Sequence, residues 1–353
     1  MNNEYGIITS HLIPHTLNPM SLISQLPPHK SLSIIGMEKN TGKTTCCNYL
    51  LNQLKETSRK VAVTSIGIDG EQTDLVTLTQ KPEIEIFEGM GFVTSEHFYH
   101  KKKLTAEIIE VSQRSTSHGR LVFAKAITSG KVILSGPNTT VWLKQVMEQL
   151  YDFGFDFLIT DGALSRKSLA SPTLSESLIL TTGAALTPIL PELVRKTKFV
   201  YQLTQIEEFK TNLKAILENF ETGIYALNED EFTDLQIPSS LLLDTYKNEL
   251  FAHGNTLYVA GIITNSLLNT LQIHKEIKNI ILVAKDFTKI FVDKDVLSHY
   301  LRAGGTLKVL NRNKLIAICV NPVSPQGYKM DSQKLIEALQ KEVDVPVYNL
   351  RKS

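Results

Sequence analysis

A glycine-bracketed turn followed by a lysine and two threonines is the stretch of the sequence best suited to chemistry. It reads Gly36-Met-Glu-Lys-Asn-Thr-Gly-Lys-Thr-Thr45. Apolar residues at 31–35 predict a buried strand before the turn, and apolar residues at helical spacing over 46–54 predict a helix after it. The N–H groups and the dipole at a helix start attract phosphate. The turn is therefore predicted to bind the phosphates of a nucleotide.

Each residue type in this turn has a predicted role. Lys43 would reach the β- and γ-phosphates, and the Thr44 hydroxyl would be a ligand of Mg²⁺. The other residues predicted to surround the phosphates are Gly36, Asn40, Thr41, Gly42 and Thr45. The predicted cofactors are ATP and Mg²⁺. A glycine-rich turn without a ligand is the alternative, but the strand and helix on either side favour the phosphate loop.

A carboxylate about 120 residues later has the position that such a site requires. Asp161 follows the apolar run at 155–159, and a carboxylate at the end of a buried strand can hold Mg²⁺ through water beside Thr44. Arg166 and its neighbour Lys167 come shortly after it. Arg166 is predicted to neutralise charge on the γ-phosphate, and a solvated helix start is the alternative.

A second carboxylate, Asp69, follows the strand predicted at 60–66. Ligands in doubly wound sheets bind beyond the carboxyl ends of strands, so Asp69 is predicted to face the phosphates and to position the attacking water. An Asp-Gly turn selected for its backbone conformation is the alternative reading. Asn321, after a buried strand near the end of the chain, is a candidate for contact with the nucleotide base.

Composition excludes several classes of protein. The 353 residues carry 37 basic and 36 acidic side chains, and this near-neutral balance gives no electrostatic argument for nucleic acid or an anionic membrane. We expect no secretion signal and no membrane span, because no long apolar run is uninterrupted. Three cysteines form no ligand pattern or disulfide framework, which fits a reducing cytoplasm. Cys46 and Cys47 are predicted to pack the helix, with redox sensitivity as the alternative.

The order of the predicted elements indicates an α/β protein with a mostly parallel, doubly wound sheet of the phosphate-loop NTPase type and a C-terminal α/β extension. Residues 1–30 are predicted to form an arm that packs across the core or a partner. Residues 31–205 would form the nucleotide-binding core. Residues 206–353 would form a C-terminal region that could complete the same sheet. We also predict a helix over 104–112 and a weakly patterned boundary or insertion over 218–253.

The loop itself departs from the usual G-x-x-x-x-G-K-[ST] pattern. Met37 occupies the first glycine position, and Gly36 lies one residue earlier. A loop one residue longer resembles that of dethiobiotin synthetases, which are relatives of the metallochaperone and partitioning NTPases. Asp69 is similar to the acidic residue after the second strand of partitioning-type ATPases.

Three stretches together resemble the ATP-binding subunit of lysine 5,6-aminomutase reactivases. They are the phosphate loop, the segment Ser65-Ile-Gly-Ile-Asp-Gly-Glu71, and the segment Asp161-Gly-Ala-Leu-Ser-Arg-Lys-Ser-Leu-Ala-Ser-Pro172 with Thr182-Gly-Ala-Ala-Leu186 after it. The resemblance covers roughly residues 31–330. It implies phosphate and Mg²⁺ binding by Lys43 and Thr44, with Asp161 sensing the state of the nucleotide. Ile68 stands where relatives carry an arginine.

This resemblance implies a cytoplasmic ATPase that works with a second reactivase subunit. The pair would restore aminomutases that depend on adenosylcobalamin and pyridoxal phosphate, using ATP to exchange damaged cobalamin. The sequence contains no D-x-H-x-x-G cobalamin-binding pattern, so cobalamin would contact the target enzyme or the partner subunit. A homodimer is a further assembly that the chain could form.

Two other functions remain open from the sequence. A ligase similar to dethiobiotin synthetase would activate a small carboxylate and would need a second pocket for it. A non-catalytic scaffold gated by nucleotide would bind ATP tightly without turnover. A nucleic-acid motor is disfavoured by the neutral charge.

Overall fold

The fold is an α/β arrangement built on two sheets, seen here in a computed structural model. The structure describes residues 20–26, 30–65, 83–163, 175–237, 250–251 and 253–351. The strands of these ranges are β1 Ser31–Gly36, β2 Val61–Ser65, β3 Ile84–Ile86, β4 Gly91–Ser95, β5 Ala106–Thr116, β6 Gly119–Ala126, β7 Gly130–Val132, β8 Phe157–Ala163, β9 Ser177–Gly183, β10 Ile224–Asn228, β11 Glu231–Ile237, β12 Thr256–Val259, β13 Ile263–Thr264, β14 Ile281–Ala284, β15 Ile290–Phe291, β16 Thr306–Val309, β17 Lys314–Asn321 and β18 Val347–Tyr348.

The helices connect these strands. They are α1 Met20–Ile23, α2 Lys43–Leu54, α3 Glu96–Tyr99, α4 Thr140–Asp152, α5 Leu190–Thr204, α6 Lys214–Leu217, α7 Asn265–Gln272, α8 Lys294–Arg302 and α9 Ser332–Gln340. Short 3₁₀ turns occupy Ile277–Asn279 and Phe287–Lys289. No helix within these described ranges is long and apolar enough to cross a membrane.

The larger sheet has nine strands within the described residues, in the order β18-β17-β9-β1-β8-β2-β4-β6-β5. The strands from β18 to β4 run parallel, whereas β6 is antiparallel to both β4 and β5. Every residue of β1, β2 and β9 is buried, as expected for central strands covered on both faces. The α/β class and the large, mostly parallel sheet predicted from the sequence are confirmed.

Helices cover both faces of this sheet. Val63 and Ile159 pack in one cluster with the apolar side of α2, while their neighbours Ala62 and Leu158 pack with α4 in another. Since successive side chains of a strand point to opposite faces, α2 and α4 lie on opposite sides of the sheet. The described part of the predicted arm also belongs to this core, because Leu22 is buried in the cluster of α2.

A second sheet of five strands, in the order β11-β10-β12-β14-β16, contains most strands of the C-terminal region. Strands β17 and β18 of that region lie instead in the nine-stranded sheet. The sequence prediction of a weakly patterned segment over 218–253 is wrong for its first part, because β10 and β11 form a hairpin there. The first four residues of the edge strand β11 are exposed, although β10 is buried as far as Leu227, and this exposure weakens the apolar pattern of the hairpin.

The helix predicted over 104–112 is also wrong, because this segment belongs to the edge strand β5. Strand β5 pairs with β6 through a turn at Gly119, where φ is +93°. Most side chains of β5 are exposed. The spacing of buried apolar residues is what distinguishes a strand from a helix in a sequence, and β5 has too few buried residues to show either spacing. The register shifts twice along the pair, near Ile108 and after Val111.

The two sheets share one hydrophobic core. A single cluster contains Leu178 and Leu180 of β9, Leu193 of α5, and Leu257 and Leu282 of the smaller sheet. Truncating a buried apolar side chain of this cluster should therefore destabilise both sheets together.

We predict that Leu180→Ala lowers the free energy of unfolding by about 3 kcal/mol, because Leu180 is fully buried and the cavity cannot collapse between two sheets. Urea unfolding followed by circular dichroism measures this change. The matched control is Leu301→Ala on α8, where the leucine side chain is half exposed and little loss is expected. Separate transitions for the two sheets in the wild type would contradict a shared core.

Candidate functional site

The phosphate loop connects β1, in the middle of the larger sheet, to α2. Gly36 ends β1, with Ala163 of β8 on one side and Thr181 of β9 on the other. The next residue, Met37, donates its backbone N–H to the Thr181 carbonyl over 2.9 Å. The loop therefore leaves the carboxyl edge of the sheet between two strands, which is where doubly wound sheets bind ligands.

Two residues of the loop have left-handed backbone conformations. Asn40 has φ +63° and Gly42 has φ +102°. Asparagine and glycine are the residue types that adopt this region most readily. Alternation of right- and left-handed residues allows successive N–H groups to converge on an anion. Asparagine at position 40 and glycine at position 42 therefore allow the loop to adopt this conformation with little strain.

The start of α2 has no side-chain cap. Gly42 is the N-cap residue and has no side chain that could accept a hydrogen bond from the first turn. A helix usually satisfies these N–H groups with a Ser, Thr, Asp or Asn side chain. Lys43, Thr44 and Thr45 form this first turn and are half-buried. The uncapped start can therefore offer its N–H groups and its dipole to a phosphate.

Lys43 folds back across the beginning of the loop. A Cβ atom placed on Gly36 would lie 2.8 Å from Lys43 Nζ and 2.9 Å from Lys43 Cγ. It would also lie 2.8 Å from the Thr41 hydroxyl. Only glycine at position 36 leaves room for this arrangement. The lysine ammonium is consequently held over the loop, on the side where phosphate oxygens would be bound.

Strand β9 holds the loop from one side. The Thr41 hydroxyl donates to the Glu38 carbonyl over 2.8 Å and lies 3.0 Å from the Thr181 hydroxyl. Since the proton of Thr41 is used on Glu38, the Thr181 hydroxyl is the donor of the second bond. Thr41 and Thr181 are both almost fully buried, so these bonds are protected from water.

Strand β17, which lies beyond β9 on the same side of β1, also holds the loop. The side-chain amide of Asn321 donates to the Asn40 carbonyl over 2.8 Å, and its oxygen accepts from the N–H of Val323 over 3.2 Å. The Asn321 Cβ also lies 3.2 Å from the position that a Cβ on Gly42 would occupy. Its amide therefore fixes the loop at the left-handed Asn40, and the contact of Asn321 with a nucleotide base stays a prediction.

Asp161 lies in β8, beside the strand that leads into the loop. It pairs with Ile34 of β1 and with Ser65 of β2. Its negative charge contributes to raising the pKa of both Cys46 and Cys47 on α2, which places the carboxylate near the first turns of that helix. Thr44 and Asp161 are thus the residues that could hold Mg²⁺ together with the phosphates of a nucleotide.

The cysteines of α2 pack in the core. Cys46 and Cys47 are almost completely buried, and the sulfur of Cys46 lies 3.7 Å from that of Cys319. The contact with Cys319 and burial raise the pKa of the Cys46 thiol, and burial raises that of Cys47. Thiolate reactivity falls as the pKa rises above neutrality. These observations support the packing role over redox sensitivity.

A small cleft lies beside the loop. It is lined by the first turn of α2, the end of β17 and residues near the C-terminal end of the described chain, namely Thr41, Gly42, Thr45, Cys46, Cys319, Val320, Asn321, Leu350 and Arg351. Among the described residues, no group of three or more His, Cys, Asp or Glu is arranged to hold a metal. A Mg²⁺ ion here would need oxygens from the nucleotide as well as from the protein.

The structure brings together seven predicted loop residues and Asp161. The predicted loop residues are Gly36, Asn40, Thr41, Gly42, Lys43, Thr44 and Thr45. Asp69 and Arg166, with Lys167, lie outside the described residues. Sequence reasoning missed Thr181, whose hydroxyl supports the loop from a strand far away in the chain. A threonine at the end of a buried apolar strand was the available signal.

We predict that Asn321→Ala loosens the loop without unfolding the protein. Losing the bond to the Asn40 carbonyl should speed hydrogen exchange of the amides at 37–42 by about 5- to 10-fold. Hydrogen exchange with mass spectrometry measures this change. The control is Asn313→Ala, which removes an amide that donates to the Ser175 carbonyl near the opposite end of β17. Equal effects of the two variants on these amides would contradict a local role.

Comparison of the chain with protein-family models, with curated proteins and with solved structures finds no match in any of the three. The resemblance to reactivase subunits therefore stays a prediction from the sequence motifs.

Proposed function

We propose that this protein is a phosphate-loop ATPase that binds Mg²⁺-ATP and hydrolyses it. The observation that carries the proposal is the Lys43 ammonium, held over Gly36 at the uncapped start of α2. A cation, a helix start without a capping side chain and left-handed loop residues together form a cradle for a polyphosphate. A mostly parallel sheet with the loop at its carboxyl edge is the setting that such sites require.

The roles of the residues follow from their positions. Lys43 binds the β- and γ-phosphates and offsets the charge that develops as the terminal phosphoryl group leaves. Thr44 and Asp161 would hold Mg²⁺, which would neutralise phosphate charge and orient the terminal group. Thr181 and Asn321 would keep the loop in its binding conformation. Asp69 is proposed to position the water and Arg166 to neutralise transition-state charge.

We further propose that the ATPase serves as a reactivation factor for an adenosylcobalamin-dependent aminomutase. This proposal rests on the resemblance of the segments around Ser65 and Asp161 to the reactivase subunit. ATP binding and hydrolysis would drive a conformational change in a complex with a second reactivase subunit, in the cytoplasm. Damaged cobalamin would then leave the aminomutase and intact cofactor would replace it.

We predict that Lys43→Ala reduces ATP turnover by at least about 100-fold, because the terminal phosphate loses its charged partner. The thermal unfolding midpoint without nucleotide should remain close to that of the wild type, since Lys43 is only half-buried. A phosphate-release assay measures turnover. The control is Lys55→Ala at the other end of α2, where the lysine makes a long ion pair with Glu56 and lies over the Phe87 ring, away from the loop. Unchanged turnover in Lys43→Ala would remove the central assignment.

The reactivation proposal predicts that ATP turnover rises when the second subunit and a cobalamin-inactivated aminomutase are added, and that aminomutase activity returns. The readouts are phosphate release and aminomutase activity in the same mixture, with the Lys43→Ala variant as the inactive control. Turnover that responds only to a small carboxylate would favour the ligase. Tight ATP binding without turnover in any mixture would favour the nucleotide-gated scaffold.

A further inference from the structure

Of the described residues that line the cleft beside the phosphate loop, Arg351 is the one with a charged side chain. The deeper walls of this cleft are the buried residues Cys46, Cys319 and Val320. Thr45, in the first turn of α2, is half-buried and Arg351 is exposed, so both lie at the mouth of the cleft. A guanidinium therefore stands beside the helix start that is proposed to bind phosphate.

The backbone that carries Arg351 is held in place by neighbouring elements. Arg351 follows β18, which pairs with β17 in the larger sheet. The side-chain oxygen of Asn349 accepts from the Arg351 N–H over 3.1 Å, and its amide donates to the Ser332 hydroxyl at the start of α9 over 2.6 Å. These bonds fix the position of the residue near the loop, while its long side chain remains in solvent.

The guanidinium of Arg351 is available to a ligand. Within the described ranges it makes neither an ion pair nor a hydrogen bond with the protein. Arginine binds phosphate through two parallel N–H···O bonds, and it keeps its charge at any physiological pH. A solvated surface side chain is the alternative role, and the experiments below distinguish the two roles.

The order of the strands gives the direction in which a nucleotide would cross the loop. Strand β8, with Asp161, lies on one side of β1, whereas β9 and β17 lie on the other. With Mg²⁺ and the terminal phosphates at Thr44 and Asp161, as proposed above, the rest of the nucleotide would extend toward β17. The cleft lies between the start of α2 and the end of β17. The α-phosphate would thus lie at the mouth of the cleft.

We propose that Arg351 is a nucleotide-binding residue whose guanidinium binds the α-phosphate. Lys43 and Mg²⁺ would neutralise the β- and γ-phosphates, which leaves the α-phosphate without a counter-charge from the loop. Arg351 supplies that charge from a separate part of the chain. Because ATP and ADP both carry an α-phosphate, Arg351 would hold substrate and product alike. This inference rests on the proposed function and adds a residue that lies outside the phosphate-loop motif.

The first test is the affinity of the full chain for Mg²⁺ with a non-hydrolysable ATP analogue and for Mg²⁺-ADP, measured by isothermal titration calorimetry. We expect Arg351→Ala to weaken the binding of both nucleotides by about 10-fold, because a charge-assisted hydrogen-bonded pair is lost. The thermal unfolding midpoint without nucleotide should not change, since the side chain is exposed. The matched control is Arg302→Ala, which removes an exposed arginine from α8 and should leave both affinities unchanged.

Turnover distinguishes a binding role from a catalytic one. A contact with the α-phosphate is the same in the ground state and the transition state, so Arg351→Ala should raise KM and leave kcat within about twofold of the wild type. Lys43→Ala should instead lose turnover. Arg351→Lys keeps the charge but loses the paired N–H groups, and its affinity for nucleotide should lie between those of the wild type and Arg351→Ala.

Mg²⁺-tripolyphosphate identifies the group that Arg351 contacts, because it has three phosphates but no nucleoside. Arg351→Ala should weaken its binding by a factor similar to that for the nucleotides. Unchanged affinity for tripolyphosphate, together with weaker nucleotide binding, would place Arg351 on the nucleoside and overturn the assignment to the α-phosphate.

Equal nucleotide affinities of Arg351→Ala and the wild type would overturn this inference and leave the proposed nucleotide site intact. A fall in kcat as large as that of Lys43→Ala would also contradict a binding role. A wild-type chain that binds neither nucleotide would overturn the proposed function, and the role of Arg351 with it.

Discussion

The structure of the candidate site depends on hydrogen bonds that reach the phosphate loop from other strands. The start of α2 has no capping side chain, and the loop contains two left-handed residues, so the loop supplies little support of its own. Thr181 fixes it from β9 and Asn321 fixes it from β17. A loop that leads into a helix start without a capping side chain needs support from elsewhere, and here other strands of the sheet provide it.

The sheet that provides this support also joins the two halves of the chain. Strands β9 and β17 are neighbours in the larger sheet, while their apolar side chains contribute to the cluster shared with the smaller sheet. The loop, its two supports and the smaller sheet thus belong to one packed unit. A partner that displaces the smaller sheet would also displace the packed side chains of β9 and β17, the strands that support the loop. A change in the conformation of the loop would act on the smaller sheet through the same side chains.

Local patterns were sufficient to predict the central elements. Strand β1, the loop and α2 follow from a buried apolar run, glycine spacing and helical periodicity, and Asp161 follows from the end of another apolar run. The edge strand β5 was predicted as a helix because its exposed residues carry no period of burial. The hairpin of β10 and β11 was missed for a related reason. Thr181 and Asn321 stand at the ends of buried apolar strands, but their contacts with the loop could not be predicted, because these contacts depend on strand order, which no local pattern encodes.

The bond between Asn321 and Asn40 joins residues that are 281 positions apart in the chain. During synthesis the loop and α2 leave the ribosome early, whereas β17 follows only after both strands of the β10–β11 hairpin and the rest of the smaller sheet. Long-range pairing of this kind forms late, since the chain must first close a large loop. A nascent or truncated chain that ends before β17 would therefore carry the complete phosphate-loop motif but lack one of the contacts that give it its shape. The loop would then reach its final conformation only when almost the whole chain has folded.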